Sequence, residues 1–553
     1  MNGNIKYPDK VWVIGLDGAT FDLIRPWAEA GYLPTLARLM AEGAWGELES
    51  TIHPLTAPAW TTFLTGLNPG RHGIYDFTRR QPGSYGLELV NASARAGRSL
   101  WRILGDAGRR VGVVNVPMTY PPEPVNGYLV AGLDAPGLDS PYTYPPGLAQ
   151  DLRGRHIISV STMGKTLGQY LTEMLDAVEK RFAVVHMLLE RGQPDFFMKV
   201  IVETDAIQHA AWHLLDRAGE PGADAILQVY RRIDERLGEL LAGLPSDVTL
   251  VVMSDHGAGP ITKVVDLDRW LEDHGLFRLQ TTNIWKDWLR TMVANAQRHA
   301  QRHLPARVKG MLRQSASAMA RVDSFLLYSG IDWSRTRAYS IGNQGNICIN
   351  LAGREPNGIV SAPEYETLRD EIIAGLSELR DPDTGEAIVD RVYRREELYT
   401  GERVHLAPDL LIRWRDDRYV AKKDFAQRTG DLFTTGLKFS RHAHEGALDQ
   451  TGTHRLHGVL ILHGEAVEPG TRIVGARLLD LAPTILYLMG EPMPADMDGR
   501  VLTEPLRRDF VRARPLRRET SDGQPGDDVG GGGYDAEDEE RVRERLRGLG
   551  YVA

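Results

Sequence analysis

The 553-residue chain predicts an α/β fold: a doubly wound, mostly parallel sheet with helices on both faces and inserted cap elements. Three apolar runs carry this expectation, VWVIGLDG at residues 11–18, DFFMKVIVETD at 195–205 and VTLVVMSDHG at 248–257. Each reads as a short strand apolar on both faces, as in a sheet covered by helices. Each also runs into an acidic residue, placing Asp17, Asp205 and the pair Asp255 and His256 at strand ends. In an open parallel sheet that carboxyl edge is where active sites gather.

The intervening segments read as follows. LPTLARLMAEG has helical periodicity and stops at Gly43. A second helix starts near Thr56, which reads as its cap, and Pro58 is tolerated in the first turn, where amides lack intrahelical acceptors. VGVVNVP is another buried strand, and residues 119–147, rich in proline and glycine, read as ordered coil across the rim of the sheet. Residues 165–191 turn helical. Residues 284–321 are strongly basic, with Lys286, Arg290, Arg298, Arg302 and Arg307 among apolar residues. They suggest a helical cap, with a solvated face, a lid over an anionic substrate and a surface on anionic lipid as alternatives. YETLRDEIIAGLSELR and DLLIRW suggest a smaller α+β elaboration. GVLILHG reads as the final strand and DLAPTILYLMG as a helix after it; residues 517–533 are polar and glycine-rich, hence mobile. The terminal EDEERVRERLRGLGYV can form a charged helix whose seam of Val542, Leu546 and Leu549 docks or self-associates. The organisation expected is therefore a catalytic α/β domain in residues 1–277, a basic cap in 278–330, the elaboration in 331–430, a return to the catalytic domain in 431–508, and a linker with a terminal helix in 509–553.

Composition narrows the function. A formal net charge of -9 and a pI near 6.0 disfavour a general nucleic-acid scaffold while leaving anionic small substrates open. Cys348 is the one cysteine, so an intrachain disulfide and a sulfur-rich metal site are excluded. Residues 1–10 lack the apolar stretch of a secretory signal and residues 11–16 are too short to cross a bilayer, which makes the cytoplasm the expected compartment.

One hydroxyl and six metal-capable side chains fall where a two-metal phosphoryl-transfer site needs them: Asp17, Thr56, Asp205, His209, Asp255, His256 and His454. Two divalent cations roughly 4 Å apart can activate a nucleophile and stabilise a departing oxygen. Carboxylates offset their charge and neutral imidazoles complete the field, a set that suits zinc first, with manganese or iron as alternatives. Asp205 and His209, four residues apart, share one face if the turn is helical. A turn before Gly257 could direct both Asp255 and His256 inward. Thr56 is the candidate nucleophile, since a threonine in the first turn exposes its hydroxyl at the positive helix end. His454 lies in the polar TGTHRLHG, with His457 as a competitor, and His53 and His72 flank the Thr56 helix as candidates to orient phosphate or support the site.

GLDG at residues 15–18, HPLTAPAWTTFLTGLNPGRHGI at 53–74, the spacing of Asp205 and His209, SDHG at 254–257 and GTH at 452–454 together resemble the alkaline phosphatase superfamily, especially its type I phosphodiesterase and nucleotide pyrophosphatase branch. The resemblance implies that Asp17, Asp255, His256 and the Thr56 oxygen hold one metal, that Asp205, His209 and His454 hold the other, and that Thr56 forms a phosphothreonine intermediate. Phe77 stands where nucleotide pyrophosphatases carry a phosphate-holding asparagine, and Asp76 beside it would repel a dianionic monoester. NVPMTYPPEPVNGYLVAG, INLAGREPNGIV and the terminal LRGLGYV resemble a group of predicted phosphohydrolases or phosphomutases in the same superfamily. The expectation is a metal-dependent phosphoric ester hydrolase acting on a phosphorylated small molecule or phosphodiester, phosphodiesterase ahead of phosphomonoesterase. Phosphomutase or phosphotransferase activity is the enzymatic alternative, and a metal-stabilised regulatory protein the non-catalytic one. No specific nucleic-acid partner and no transmembrane segment are expected, and a homo-oligomer is compatible with the sequence.

Overall fold

The structure, a computed structural model, describes residues 9–280, 330–421, 431–435, 448, 450–520 and 533–552. Nine strands form the central sheet, in the spatial order Arg472–Arg477, Ala44–Glu49, His457–His463, Val248–Met253, Lys10–Leu16, Phe196–Ile201, Val111–Val116, Gly127–Ala131 and Thr143–Tyr144. Only His457–His463 and Thr143–Tyr144 run against the others. Phe196–Ile201, Val248–Met253 and Val111–Val116 are buried at every residue, because helices cover both faces of the sheet and leave no wet side for polar alternation. Lys10–Leu16 sits between Phe196–Ile201 and Val248–Met253 in parallel register, so the three strands end at the same edge.

Two helices that pack into the core of the main sheet have identifiable caps. Leu167–Glu190 opens on a capping box in which the Thr166 side chain and Gln169 each satisfy the other's backbone amide. Pro34–Glu42 has no side-chain cap of its own; Asp234, on the helix Ala225–Ala242, accepts the amides of Thr35 at 2.9 Å and Leu36 at 2.8 Å instead. A second sheet, Ala338–Ile341, Asn346–Ile349, Leu410–Trp414 and Val389–Arg394 in that order, is antiparallel throughout. It packs with the helix Ala362–Ser377 around a separate apolar cluster that includes Trp270, Ile347, Leu368 and Ile412.

Several expectations are corrected. The passage read as rim coil contains Gly127–Ala131 and Thr143–Tyr144, which extend the main sheet. His457–His463 is not the last strand; Arg472–Arg477 follows it and forms the opposite edge. The chain past residue 508 is structured further than a linker would be, with the helix Arg508–Ala513 and the strand Arg518–Glu519 paired to Met493–Pro494. The basic segment 284–321, and with it the lid and lipid readings, lies outside the described residues, as does most of 517–533. No helix among the described residues is long and apolar enough to cross a membrane.

Candidate active site

The common edge of the three central strands brings all seven candidate residues together, each buried. Asp17 follows Lys10–Leu16 directly, and Asp255 and His256 follow Val248–Met253. Asp205 is not at a strand end: Phe196–Ile201 stops earlier, and Asp205 and His209 both lie in the helix Glu203–Ala211. The four-residue spacing therefore acts as expected, with His209 Nε2 3.2 Å from Asp205 Oδ2. His454 is on the strand Gly452–Arg455 rather than in a loop, and its antiparallel pairing with Gly257–Pro260 sets it opposite Ala258. Strand pairing is what selects it over His457, which belongs to the next strand and is exposed.

Thr56 opens the helix Thr56–Thr65, but it is not its cap. Leu55 occupies that position without a side-chain bond. The Thr56 hydroxyl is left for the site, 3.3 Å from His256 Nε2 and donating to the Tyr551 hydroxyl at 3.1 Å. One helical turn on, Trp60 Nε1 donates to Asp17 Oδ2 at 3.1 Å. Gly15 makes room for that indole: a Cβ there would lie 2.6 Å from the Trp60 ring. Gly18 is needed twice over, for its positive φ of 64° and because a Cβ would meet Asp205 Oδ1 at 2.6 Å. Its amide donates to Asp255 Oδ1 at 3.2 Å.

The imidazoles share one orientation. Nδ1 faces a backbone carbonyl in each case: Gly452 at 2.8 Å for His209, Gly257 at 3.0 Å for His256 and Pro54 at 2.8 Å for His454. A carbonyl only accepts, so Nδ1 carries the proton and Nε2 offers a lone pair to the site. This is how metal-binding histidines are held. His209 Nε2 and His454 Nε2 then stand 3.0 Å apart with both lone pairs inward, and His454 Nε2 is 3.7 Å from Asp205 Oδ1. His256 Nε2 is 3.2 Å from Asp255 Oδ2 and 3.8 Å from Asp17 Oδ1. Asp17 Oδ1, Asp205 Oδ1 and Asp255 Oδ2 are buried with no hydrogen-bond partner. Buried carboxylate oxygens and inward lone pairs without donors fit cations, and the donor atoms fall into two compact groups: Asp205, His209 and His454, and Asp17, Asp205 and His256. Asp205 thus reaches both groups, although the resemblance assigns it to one.

The electrostatics agree. Burial, with Asp255 and Asp205 close by, holds the Asp17 carboxyl well above the usual range. Burial also lifts Asp255 to about 6, against the pull of His256. For Asp205 burial pushes up, but in the metal-free site a proton on His209 Nε2 would draw the carboxyl below its ordinary value. Burial and His256 hold His454 well below the usual imidazole range. Clustered carboxylates out of water favour protons or cations.

The family model described as type I phosphodiesterase / nucleotide pyrophosphatase matches residues 11–445. The chain belongs to this family. As a type I phosphodiesterase family member it is a hydrolase of phosphoric ester bonds in the alkaline phosphatase superfamily. Solved structures of phosphonoacetate hydrolase from Sinorhizobium meliloti share its fold. The complex with phosphonoacetate has a TM-score of 0.55 at 16% identity, covering 87% of this chain and 96% of the other. The complex with phosphonoformate has a TM-score of 0.54 at 17% identity, with the same coverages. No curated protein sequence matches the chain.

Two further candidates have supporting positions. His53 Nε2 meets Asn346 Oδ1 at 3.0 Å, and His72 Nε2 meets Thr62 Oγ1 at 3.0 Å while its Nδ1 accepts from the Ile74 amide. Burial lowers His53 to about 4 and His72 to about 3, so both are neutral struts. Asp76 Oδ1 accepts the Phe77 amide at 2.6 Å. Sequence reasoning missed four residues that build the site. Trp60 had a signal, its four-residue spacing from Thr56. Thr204 Oγ1, donating to the Asp17 carbonyl at 2.6 Å, and Gln208 Nε2, donating to the Gly18 carbonyl at 3.0 Å, neighbour Asp205 and could have been suspected. Tyr551 had only the resemblance of the terminal LRGLGYV as a signal, being nearly five hundred residues from Thr56.

Proposed function

We propose that the protein is a metal-dependent phosphodiesterase acting through a phosphothreonine at Thr56, with two divalent cations, zinc first, held by Asp17, Asp255, His256 and Thr56 on one side and by Asp205, His209 and His454 on the other. The convergence on Thr56 carries the reading: the hydroxyl is released from helix capping and lies 3.3 Å from an imidazole nitrogen whose lone pair points inward. Cations bound there would supply positive charge to the phosphoryl oxygens and favour the threonine alkoxide. The chain's own groups do the rest. Thr56 Oγ1 forms a bond to phosphorus as the bond to the leaving alcohol breaks, and the threonine proton ends on the departing oxygen. Water then attacks phosphorus, the bond to Thr56 breaks, and Thr56 regains a proton; the sum is diester and water giving monoester and alcohol. Thr56 stands at the positive end of the helix Thr56–Thr65, which favours an anion.

The test is hydrolysis of an aryl phosphodiester, an aryl phosphomonoester, a phosphonate and a sulfate ester by protein loaded with zinc or manganese. Wild-type protein should act first on the diester, and Thr56→Ala should lower kcat/KM by about 1000-fold or more. Equal rates for the variant and wild type would remove Thr56 as the nucleophile.

A further inference from the structure

The last residues of the chain enter the site. Tyr551 is buried, and its hydroxyl accepts from Thr56 Oγ1 at 3.1 Å and donates to Asp205 Oδ2 at 2.6 Å. It therefore bridges the candidate nucleophile and the carboxylate that reaches both groups of metal-capable atoms. Its ring lies between Phe77, with centroids 5.0 Å apart, and the imidazoles of His454 and His209, at 5.8 and 6.0 Å.

We propose that Tyr551 is a catalytic residue whose phenol O–H donates to the phosphoryl group transferred to Thr56. This rests on the reading of Thr56 as nucleophile. Any group bonded to Thr56 Oγ1 comes within reach of a hydroxyl already 3.1 Å from that oxygen. The chemistry changes sense on transfer: esterified Thr56 has no proton to give, and phosphoryl oxygens only accept. The phenol then turns its proton from Asp205 Oδ2 toward the phosphoryl group, serving as a donor aimed at developing negative charge.

The way the segment is held separates this role from that of a plug displaced by substrate. The helix Ala536–Gly548 is capped by Asp535, and Val542 and Leu546 are buried against Ala57, Phe77, Met118 and Leu133. Arg545 donates to the carbonyls of Leu133 at 2.7 Å and Pro136 at 2.9 Å, and also to that of Ala135. Tyr534 stacks on Tyr120 and donates to the Asp134 carbonyl at 2.8 Å, and Thr162 Oγ1 donates to that of Gly548 at 3.1 Å. The buried apolar cluster and the hydrogen bonds at both ends of the helix describe a wall of the site. Ala57 in the shared cluster ties that wall to the helix that carries Thr56.

The test compares wild type with Tyr551→Phe, which keeps the ring, and with a chain ended after Gly550. It measures kcat and KM on an aryl phosphodiester, affinity for inorganic phosphate by calorimetry, metal content and melting temperature. Tyr551→Phe should lower kcat by about 10- to 100-fold, weaken phosphate binding severalfold, and leave KM, metal content and melting temperature near wild type. The shortened chain should lose at least as much activity. Unchanged kcat and phosphate affinity in Tyr551→Phe would overturn the proposal, and faster turnover in either variant would show a plug instead. If wild type is inactive, or Thr56→Ala matches it, the nucleophile reading is what fails, while phosphate binding still reports on Tyr551.

Discussion

Single atoms decide the character of this site. The Trp60 N–H fixes which Asp17 oxygen stays free, and three backbone carbonyls fix which imidazole nitrogen faces inward. Such outer contacts tune affinity by orienting ligands that would otherwise sample many rotamers. Trp60→Phe preserves most of the ring volume beside Gly15 but removes the donor to Asp17. The expected outcome, read by competition with a chelating dye, is a loss of about 10-fold in affinity for the more weakly bound cation, with secondary structure unchanged by circular dichroism. Unchanged affinity would mean that Asp17 is oriented by its strand alone. Most of the candidate site residues were legible in the sequence, Asp17, Asp255 and His256 after apolar strands and Asp205 and His209 on one helical face. Trp60 and Tyr551 were not singled out, since an aromatic side chain carries the same apolar signal in a core as beside a carboxylate.

At the scale of elements, one helix end is satisfied by a residue far away in sequence. Asp234 caps Pro34–Glu42 from another helix, a contact spanning 199 residues for Thr35. Asp234→Ala leaves two amides without their acceptor and should cost about 2 kcal/mol, measured as a shift of the urea midpoint at constant slope. Asp234→Asn, which keeps one acceptor oxygen, should recover part of the loss; no shift in either variant would contradict the capping role. The central strands were readable because uniformly apolar runs have few other uses. The rim strands Gly127–Ala131 and Thr143–Tyr144 hid among prolines and glycines, and Gly452–Arg455 hid in a polar segment because its order comes from pairing with Gly257–Pro260. The helix Ala536–Gly548 showed its apolar seam in the sequence, but the surface it docks on is assembled from distant segments between Ala57 and Leu133.

The whole molecule has gathered three carboxylates into a buried cluster, and its stability should record this. Asp255 is raised to about 6 and Asp17 well above the ordinary 3.8. Between roughly pH 4 and pH 6 the metal-free folded state therefore binds more protons than the unfolded chain, so these groups lower stability as pH rises through that window. Asp205, held down by its histidines, makes the opposite contribution, which is lost only in stronger acid. Cations would replace the protons. Adding zinc should raise the melting temperature, and by more at about pH 7.5 than at about pH 5, because metal binding must expel the protons at the lower pH. An equal rise at both values would contradict the coupling of these carboxylates to metal. The same gathering explains what was readable at this scale: seven residues spread from position 17 to 454 have a common purpose only if a parallel sheet brings its strand ends together, and the apolar runs announced that sheet.

The most direct measurement is anomalous diffraction from crystals grown with zinc. Two peaks are predicted, one among Asp17, Asp255, His256 and the Thr56 oxygen, the other among Asp205, His209 and His454. A single peak remote from Thr56, or zinc bound elsewhere with these side chains still closed on one another, would contradict the account.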